Sequence, residues 1–322
     1  MRIRKRVHGK ESLGVAAVLN DVGVIQLQRG QLEIAGRCFA EAMRVWNKIL
    51  ESKHEYVAET LVNIGELDHA KGEYSSAVER FTEAMSIFKK KRGVDHLSVA
   101  LTYHKMGISY AAQKEFDKAE EAYERCLSMR VQKLGTDSIP IAEVLGDLGI
   151  VYFETGNFQK ARESLGECLR IKKEQSCTKN VGSADVMFYL GRVMVKMKYQ
   201  EEAGLYFEEA LSIRKDILGG DDIGVADVHA EMGNLHEHKR KYKKSLESYT
   251  ECLRIRKTRL GNHETVADTH HIIGAVQQIL HEYDLALKNF GSALSLYKTI
   301  LGDDHINVAK AMNNIGLVYG EY

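Results

Sequence analysis

Several groups of side chains in this sequence are of types that do chemistry, and histidine comes first. His229, His236 and His238 lie close together, with His270 and His271 further on. A metal needs three or four donors converging on one point, and His236-Glu237-His238 sends its two rings to different sides of a helix, so no metal site is expected. Five cysteines form no Cys-x-x-Cys pair. They predict neither a disulfide framework nor structural zinc, and they suit a reducing, cytoplasmic compartment. Cys126, Cys168 and Cys252 recur at a packing position, and only Cys177 falls in a junction, without a poised partner. No Gly-x-x-x-x-Gly-Lys-Ser/Thr loop, Gly-x-Ser-x-Gly turn or His-Glu-x-x-His helix occurs. Neither an enzyme nor a cofactor is expected. What remains is binding chemistry: the amides of Asn20, Asn63 and Asn234, the charges of Glu66, Lys105, Arg192 and Lys196, and the ring of His271. An amide both gives and accepts a hydrogen bond, which suits the backbone of an extended peptide. Arg192 and Lys196, one helical turn apart, could receive an acidic side chain or a terminal carboxylate; the alternative is two solvated bases.

The elements that must position these residues repeat. A glycine recurs at 23, 65, 107, 149, 191, 233, 274 and 316, at intervals of 42 residues with one of 41. A small or branched pair such as Val57-Ala58 or Val225-Ala226 precedes each glycine by eight residues. Twelve residues after it stands Ala35, Ala77, Ala119, Ala161, Ala203, Ser245 or Ala286, and four further on a bulky Phe39, Phe81, Tyr123, Leu165, Phe207, Tyr249 or Phe290. Spacings of three and four put these on one helix face, so each repeat reads as two amphipathic helices, A then B, joined by a short turn. Lys71-Gly72-Glu73-Tyr74 and Thr155-Gly156-Asn157-Phe158 mark the turn inside a hairpin. Gly93-Val94-Asp95-His96, Gly219-Gly220-Asp221-Asp222 and Gly302-Asp303-Asp304-His305 mark turns between hairpins, where acidic side chains could cap the next helix A. The predicted fold is all-α, a right-handed superhelical solenoid of antiparallel helix hairpins. One array fills 1–322, with full repeats at about 15–56, 57–98, 99–140, 141–182, 183–224, 225–265 and 266–307, and a partial repeat at 308–322.

Such a solenoid presents helix A on its concave side. Positions three and two before the glycine, and one and five after it, avoid the apolar stripe. They carry Asn20, Asp21, Asn63, Glu66, His104, Lys105, Asp147, Glu154, Arg192, Lys196, Glu231, Asn234, His271, Asn313 and Asn314. The carboxylates Glu143, Asp147, Asp185, Asp227 and Glu231 predict a stretch favouring a basic or mixed peptide, or else capping and pairing along the helix. Forty-five basic residues balance 45 acidic ones. That leaves no field to draw the chain onto nucleic acid, and Lys89-Lys90-Lys91-Arg92 and Lys239-Arg240-Lys241 read as solvated surface. No run of about eighteen apolar residues is available to span a membrane.

The glycine, the alanine, the bulky residue and the small residue after it resemble the tetratricopeptide repeat signature over nearly the whole chain. The long period and the Leu-Gly-x-Asp-His-x-x-Val-Ala-like junctions at 93–100, 219–226 and 301–309 are similar to the repeats of kinesin light chains. Leu97 and Ile306 replace the proline usual there, and 175–182 lacks the Leu-Gly stop. The kinesin-light-chain-like Leu-Asn-Asn-Leu-Ala segment has counterparts in Leu19-Asn20-Asp21-Val22-Gly23 and Met312-Asn313-Asn314-Ile315-Gly316. The resemblance implies a scaffold or adaptor that takes a protein or peptide segment in its groove. A chaperone-tail receptor is disfavoured, since its Lys and Asn clamp positions hold Val62 with Glu66 and Gly146 with Ile150. Similar arrays serve as sensor arms of signalling ATPases, and a self-assembling structural array is the remaining class. Residues 1–9, MRIRKRVHG, align with 253–261, LRIRKTRLG, as a partial hairpin. Neither end carries a polar cap, so a piece of a longer array, or self-association through uncapped ends, is expected.

Overall fold

The computed structural model describes residues 12–51 and 53–321; the partial hairpin expected at 1–9 lies outside them. Among the described residues are fifteen α-helices and no strand. The A helices are α1 (Leu13–Gln28), α3 (Glu55–Ala70), α5 (Leu97–Ala112), α7 (Ile139–Glu154), α9 (Val181–Lys196), α11 (Ile223–His238), α13 (Glu264–Ile279) and α15 (Ile306–Glu321). The B helices are α2 (Leu32–Ile49), α4 (Tyr74–Arg92), α6 (Phe116–Leu134), α8 (Phe158–Glu174), α10 (Gln200–Leu218), α12 (Tyr242–Leu260) and α14 (Tyr283–Leu301). None is long and apolar enough to cross a membrane.

The chain falls into two compact units, 1–160 and 161–322, divided in the first turn of α8. In the first unit α1/α2, α3/α4 and α5/α6 are hairpins, followed by α7; in the second, α9/α10, α11/α12 and α13/α14 are hairpins, followed by α15. Within each unit the B helices of these hairpins also pack on the next A helix, and neighbouring A helices touch each other, notably α1 with α3, α3 with α5 and α9 with α11. In each unit the A helices therefore make one layer and the B helices another, as in a solenoid of antiparallel hairpins.

The recurrent glycine permits close approach of A to B. A Cβ added at Gly23, Gly65, Gly107, Gly191, Gly233 or Gly274 would come within 3.0 Å of the ring of Phe39, Phe81, Tyr123, Phe207, Tyr249 or Phe290. Each ring lies across a bare backbone and is fully or almost fully buried, with Ala35, Ala77, Ala119, Ala203 and Ala286 beside it. Filling such a slot with side chain would force ring and helix apart, and losing such a ring costs about 3–5 kcal/mol.

One residue precedes every A helix in the same register: Ser12, His54, His96, Ser138, Asn180, Asp222, His263 and His305. Acidic capping, expected from the junction sequences, occurs at Asp222, whose carboxylate accepts from Gly224 N–H at 2.8 Å. At Gly93–His96 and Gly302–His305 the acids do not cap. There the Nδ1 lone pairs of His96 and His305 accept from the amides of Ser98 (3.1 Å) and Asn307 (3.2 Å). His54 and His263 do the same for Tyr56 and Thr265. An imidazole lone pair reaches the second amide of the helix as a carboxylate would, so the cap survives the change of residue.

Candidate peptide-binding face

The A layer carries the side chains singled out by periodicity, and the structure joins many of them across helices. In the first unit Asn63 of α3 donates from Nδ2 to Asn20 Oδ1 of α1 (2.9 Å). Lys105 of α5 pairs with Glu66 of α3 at 2.5 Å. His104 of α5 donates from Nε2 to Asp147 Oδ2 of α7 (2.7 Å), while Arg130 of α6 reaches its Nδ1 at 3.5 Å, so a proton on Nε2 and a lone pair on Nδ1 serve both contacts. His69 Nδ1 and Ser109 Oγ add a contact between α3 and α5 at 3.1 Å.

In the second unit Arg192 of α9 pairs with Glu231 of α11 (3.2 Å) and lies over the rings of Phe188 and Tyr189 at 5.8 and 5.2 Å. Lys196, one turn on, is exposed. Asn234 is bonded within its own hairpin: its Oδ1 accepts from the Tyr249 hydroxyl and its Nδ2 donates to Glu231 (3.3 Å). Asn314 of α15 donates to His271 Nε2 of α13 (2.9 Å), whose ring stands edge-on to Phe290. Burial lowers the His271 pKa, Asp268 opposing and Lys310 reinforcing the shift. The sites predicted from sequence are thus on A helices, and within each unit Asn20–Asn63, Glu66–Lys105, Arg192–Glu231 and His271–Asn314 form polar rungs between successive A helices.

Periodicity alone did not single out a second series. Arg130, Lys172, Arg214 and Arg256 recur every 42 residues on the B helices, and that spacing is the signal that could have found them. Arg130, Lys172 and Arg214 are buried. Arg214 donates to Asp185 (2.7 Å) and to the Gly224 carbonyl (2.6 Å). Arg256 donates to Asp227 (2.9 Å) and Thr269 (3.0 Å), and Arg130 to the Pro140 carbonyl. Asp147, Asp185, Asp227 and Glu231 each meet an internal partner, the pairing that the sequence offered as the alternative to a stretch favouring a basic peptide. The basic runs are engaged too, Arg92 holding Glu55 (2.8 Å) and Glu59 (2.9 Å), and Lys239 holding Glu201 (3.0 Å).

Burial pushes the Cys126 thiol up to about 11 and raises Cys252 as well, which disfavours thiolate chemistry at both. Cys177 is half-buried, with Asn180 Nδ2 donating to its carbonyl (2.9 Å) and near its sulfur. Among the described residues no group of three or more His, Cys, Asp or Glu side chains could hold a metal ion.

Tetratricopeptide repeat models match residues 14–90, 96–174 and 265–322, and a further one matches 228–262. No curated protein matches the chain. Among solved structures, the putative kinesin light chain repeats of Podosopora anserina superpose with a TM-score of 0.53 at 19% identity, covering 64% of this chain and 98% of that one. A signal transduction ATPase with numerous domains and a tetratricopeptide repeat sensor, from Pyrococcus horikoshii, gives 0.71 at 15% identity, covering 95% and 44%. A Rap protein complexed with competence and sporulation factor gives 0.61 at 12% identity, covering 96% and 88%. With family models matching most of its length and a structure of stacked two-helix repeats, the chain belongs to the tetratricopeptide repeat family.

Proposed function

We propose that the chain is a protein-interaction scaffold or adaptor, kinesin-light-chain-like, that holds a peptide segment of a partner along its A helices, and that 1–322 works as a single array in the cytoplasm. The observation that carries this reading is the polar rungs where successive A helices meet within each unit, Asn20–Asn63 and Glu66–Lys105 in the first and Arg192–Glu231 in the second. An amide or an ammonium carries more hydrogen-bonding sites than one rung uses, which leaves the Asn20–Asn63 and Glu66–Lys105 rungs capacity for an extended backbone. Asn234, Lys196 and His271 extend the same face. The Rap structure, solved with competence and sporulation factor bound, supports the same use of the fold.

The test is enrichment from a displayed peptide library, followed by affinity measurement on an Asn63→Ala, Asn234→Ala double variant. The expected result is that peptides are enriched and bind the variant about tenfold more weakly, a loss of roughly 1.4 kcal/mol, at unchanged helical content. Equal affinity removes these positions from the site. A second reading, the sensor arm of a larger signalling ATPase, is favoured by the match over 95% of this chain to the Pyrococcus horikoshii protein. Self-association is favoured by Met312, Leu317 and Tyr319, which are 54%, 52% and 67% exposed on α15. An empty library screen with size growing as concentration rises would replace the peptide reading with that one.

A further inference from the structure

In two successive hairpins of the second unit, a B-helix arginine meets the aspartate of its own A helix. Arg214 meets Asp185 and Arg256 meets Asp227, and each also reaches the following A helix. The third hairpin keeps the aspartate, Asp268, but places Tyr297 at the arginine position. The Tyr297 hydroxyl donates to Asp268 Oδ1 at 2.6 Å. A tyrosine side chain is shorter than an extended arginine and offers a single donor, so it satisfies one carboxylate oxygen, here Oδ1 of Asp268. The space that an arginine end would occupy is a pocket of about 380 Å³, lined by Asp268, His271, Ile272, Tyr297, Asn307 and Lys310. Asn307 stands in the register position of Gly224, whose carbonyl accepts from Arg214, and so brings a side-chain acceptor to the spot. His271 keeps a buried Nδ1 without a partner on the pocket's side wall.

We propose that this pocket receives the guanidinium of an arginine in the partner's peptide, which takes the place that Arg214 and Arg256 fill in the two preceding hairpins. The proposal rests on the peptide-binding reading and names the side chain that anchors the segment on α13 to α15. Asp268 supplies the counter-charge and Tyr297 the flat wall. A planar, forked donor suits a carboxylate with one free oxygen and a neighbouring amide better than an ammonium does. Lys310 is exposed and its charge is screened by water, whereas Asp268 is half-buried. The pocket therefore favours a cation at its floor.

The experiment follows the isoleucine methyl signals of the whole chain, Ile272 foremost, during titration with N-acetyl-arginine amide and with its neutral isostere, N-acetyl-citrulline amide. A parallel arm uses library-selected peptides with arginine replaced by citrulline. The expected result is saturable shifts with the arginine compound at millimolar concentration, at least tenfold weaker with citrulline, and lost in Asp268→Asn. Tyr297→Arg, which restores the internal cation, should close the pocket while leaving thermal stability unchanged or raised. Equal response to citrulline, or an arginine response that survives both variants, overturns the proposal. Selected peptides that bind without a basic residue, together with no arginine response, overturn it while leaving the peptide-binding reading standing; an arginine response with no selected peptides does the reverse.

Discussion

At the scale of residues, four imidazoles set how the protein answers to acid. Burial lowers the pKa of His69, His229, His236 and His271. Lys105, Lys215, Lys244 and Lys310 push the same way, while Glu66, Glu251, Glu208 and Asp268 oppose them. A group held below its unfolded value of about 6.5 binds protons more readily in the unfolded chain. The stability it contributes is therefore present above that pH and is lost as the pH falls through it toward the folded value. The melting temperature should hold steady between about pH 8 and 7 and drop by several degrees toward pH 5.5, with a shallower drop in His229→Gln, His236→Gln. A flat profile in the wild type would show that these rings are not held neutral. At this scale the sequence placed Asn20, Asn63, Glu66, Lys105 and Arg192 on the A helices from one period. It did not give their pairing. Partners stand 43 residues apart in Asn20–Asn63 and His104–Asp147, and 39 apart in Glu66–Lys105 and Arg192–Glu231, offsets set by how adjacent helices slide past each other.

At the scale of elements, the turn from A to B demands a left-handed residue seven positions after the recurrent glycine. Gly30, Gly72 and Gly156 supply it with φ of 71°, 82° and 79°. Lys114, Lys198, Arg240 and His281 hold the same conformation with φ of 61°, 68°, 55° and 59°. A side chain there is strained by its Cβ, which glycine lacks. Lys198→Gly should therefore stabilise by about 0.5–1 kcal/mol, the relief of strain outweighing the added freedom of the unfolded chain; urea unfolding checks it, and a lower midpoint would refute it. The turns at Gly72 and Gly156 were legible because glycine advertises them. Those at Lys114 and Lys198 were not, since a lysine carries no such mark and is held there by the flanking helices. The histidine caps escaped for a related reason: the nearby acids looked like better acceptors, but the cap position itself belongs to His96 and His305.

At the scale of the molecule, a stack of hairpins concentrates its contacts between neighbours, so damage should stay local. Gly65→Val drives a branched side chain into the Phe81 ring. Amide hydrogen exchange should speed by tenfold or more in α3 and α4 and less in α7 of the same unit; uniform acceleration across that unit would mean that it unfolds as one block. The helical hairpins and their order were legible from the glycine period alone. The two compact units were not, because the period runs through Lys160 and Ala161 without a break.

The buried ion pairs also bear on how such a chain can grow. Arg214 and Asp185 lie within one repeat, as do Arg256 and Asp227; beyond its aspartate Arg214 takes the Gly224 carbonyl, which any residue could offer, and Arg256 takes the Thr269 hydroxyl. The glycine slot and its aromatic ring are likewise carried together, as in Gly191 and Phe207. A segment duplicated in the gene would bring this arginine's counter-charge, its own slot filler and its own cap, and would meet its new neighbours through rungs of the Glu66–Lys105 kind. Copies can then be added or lost without stranding these arginines, and a copy can diverge at this position, as the change from arginine to Tyr297 shows.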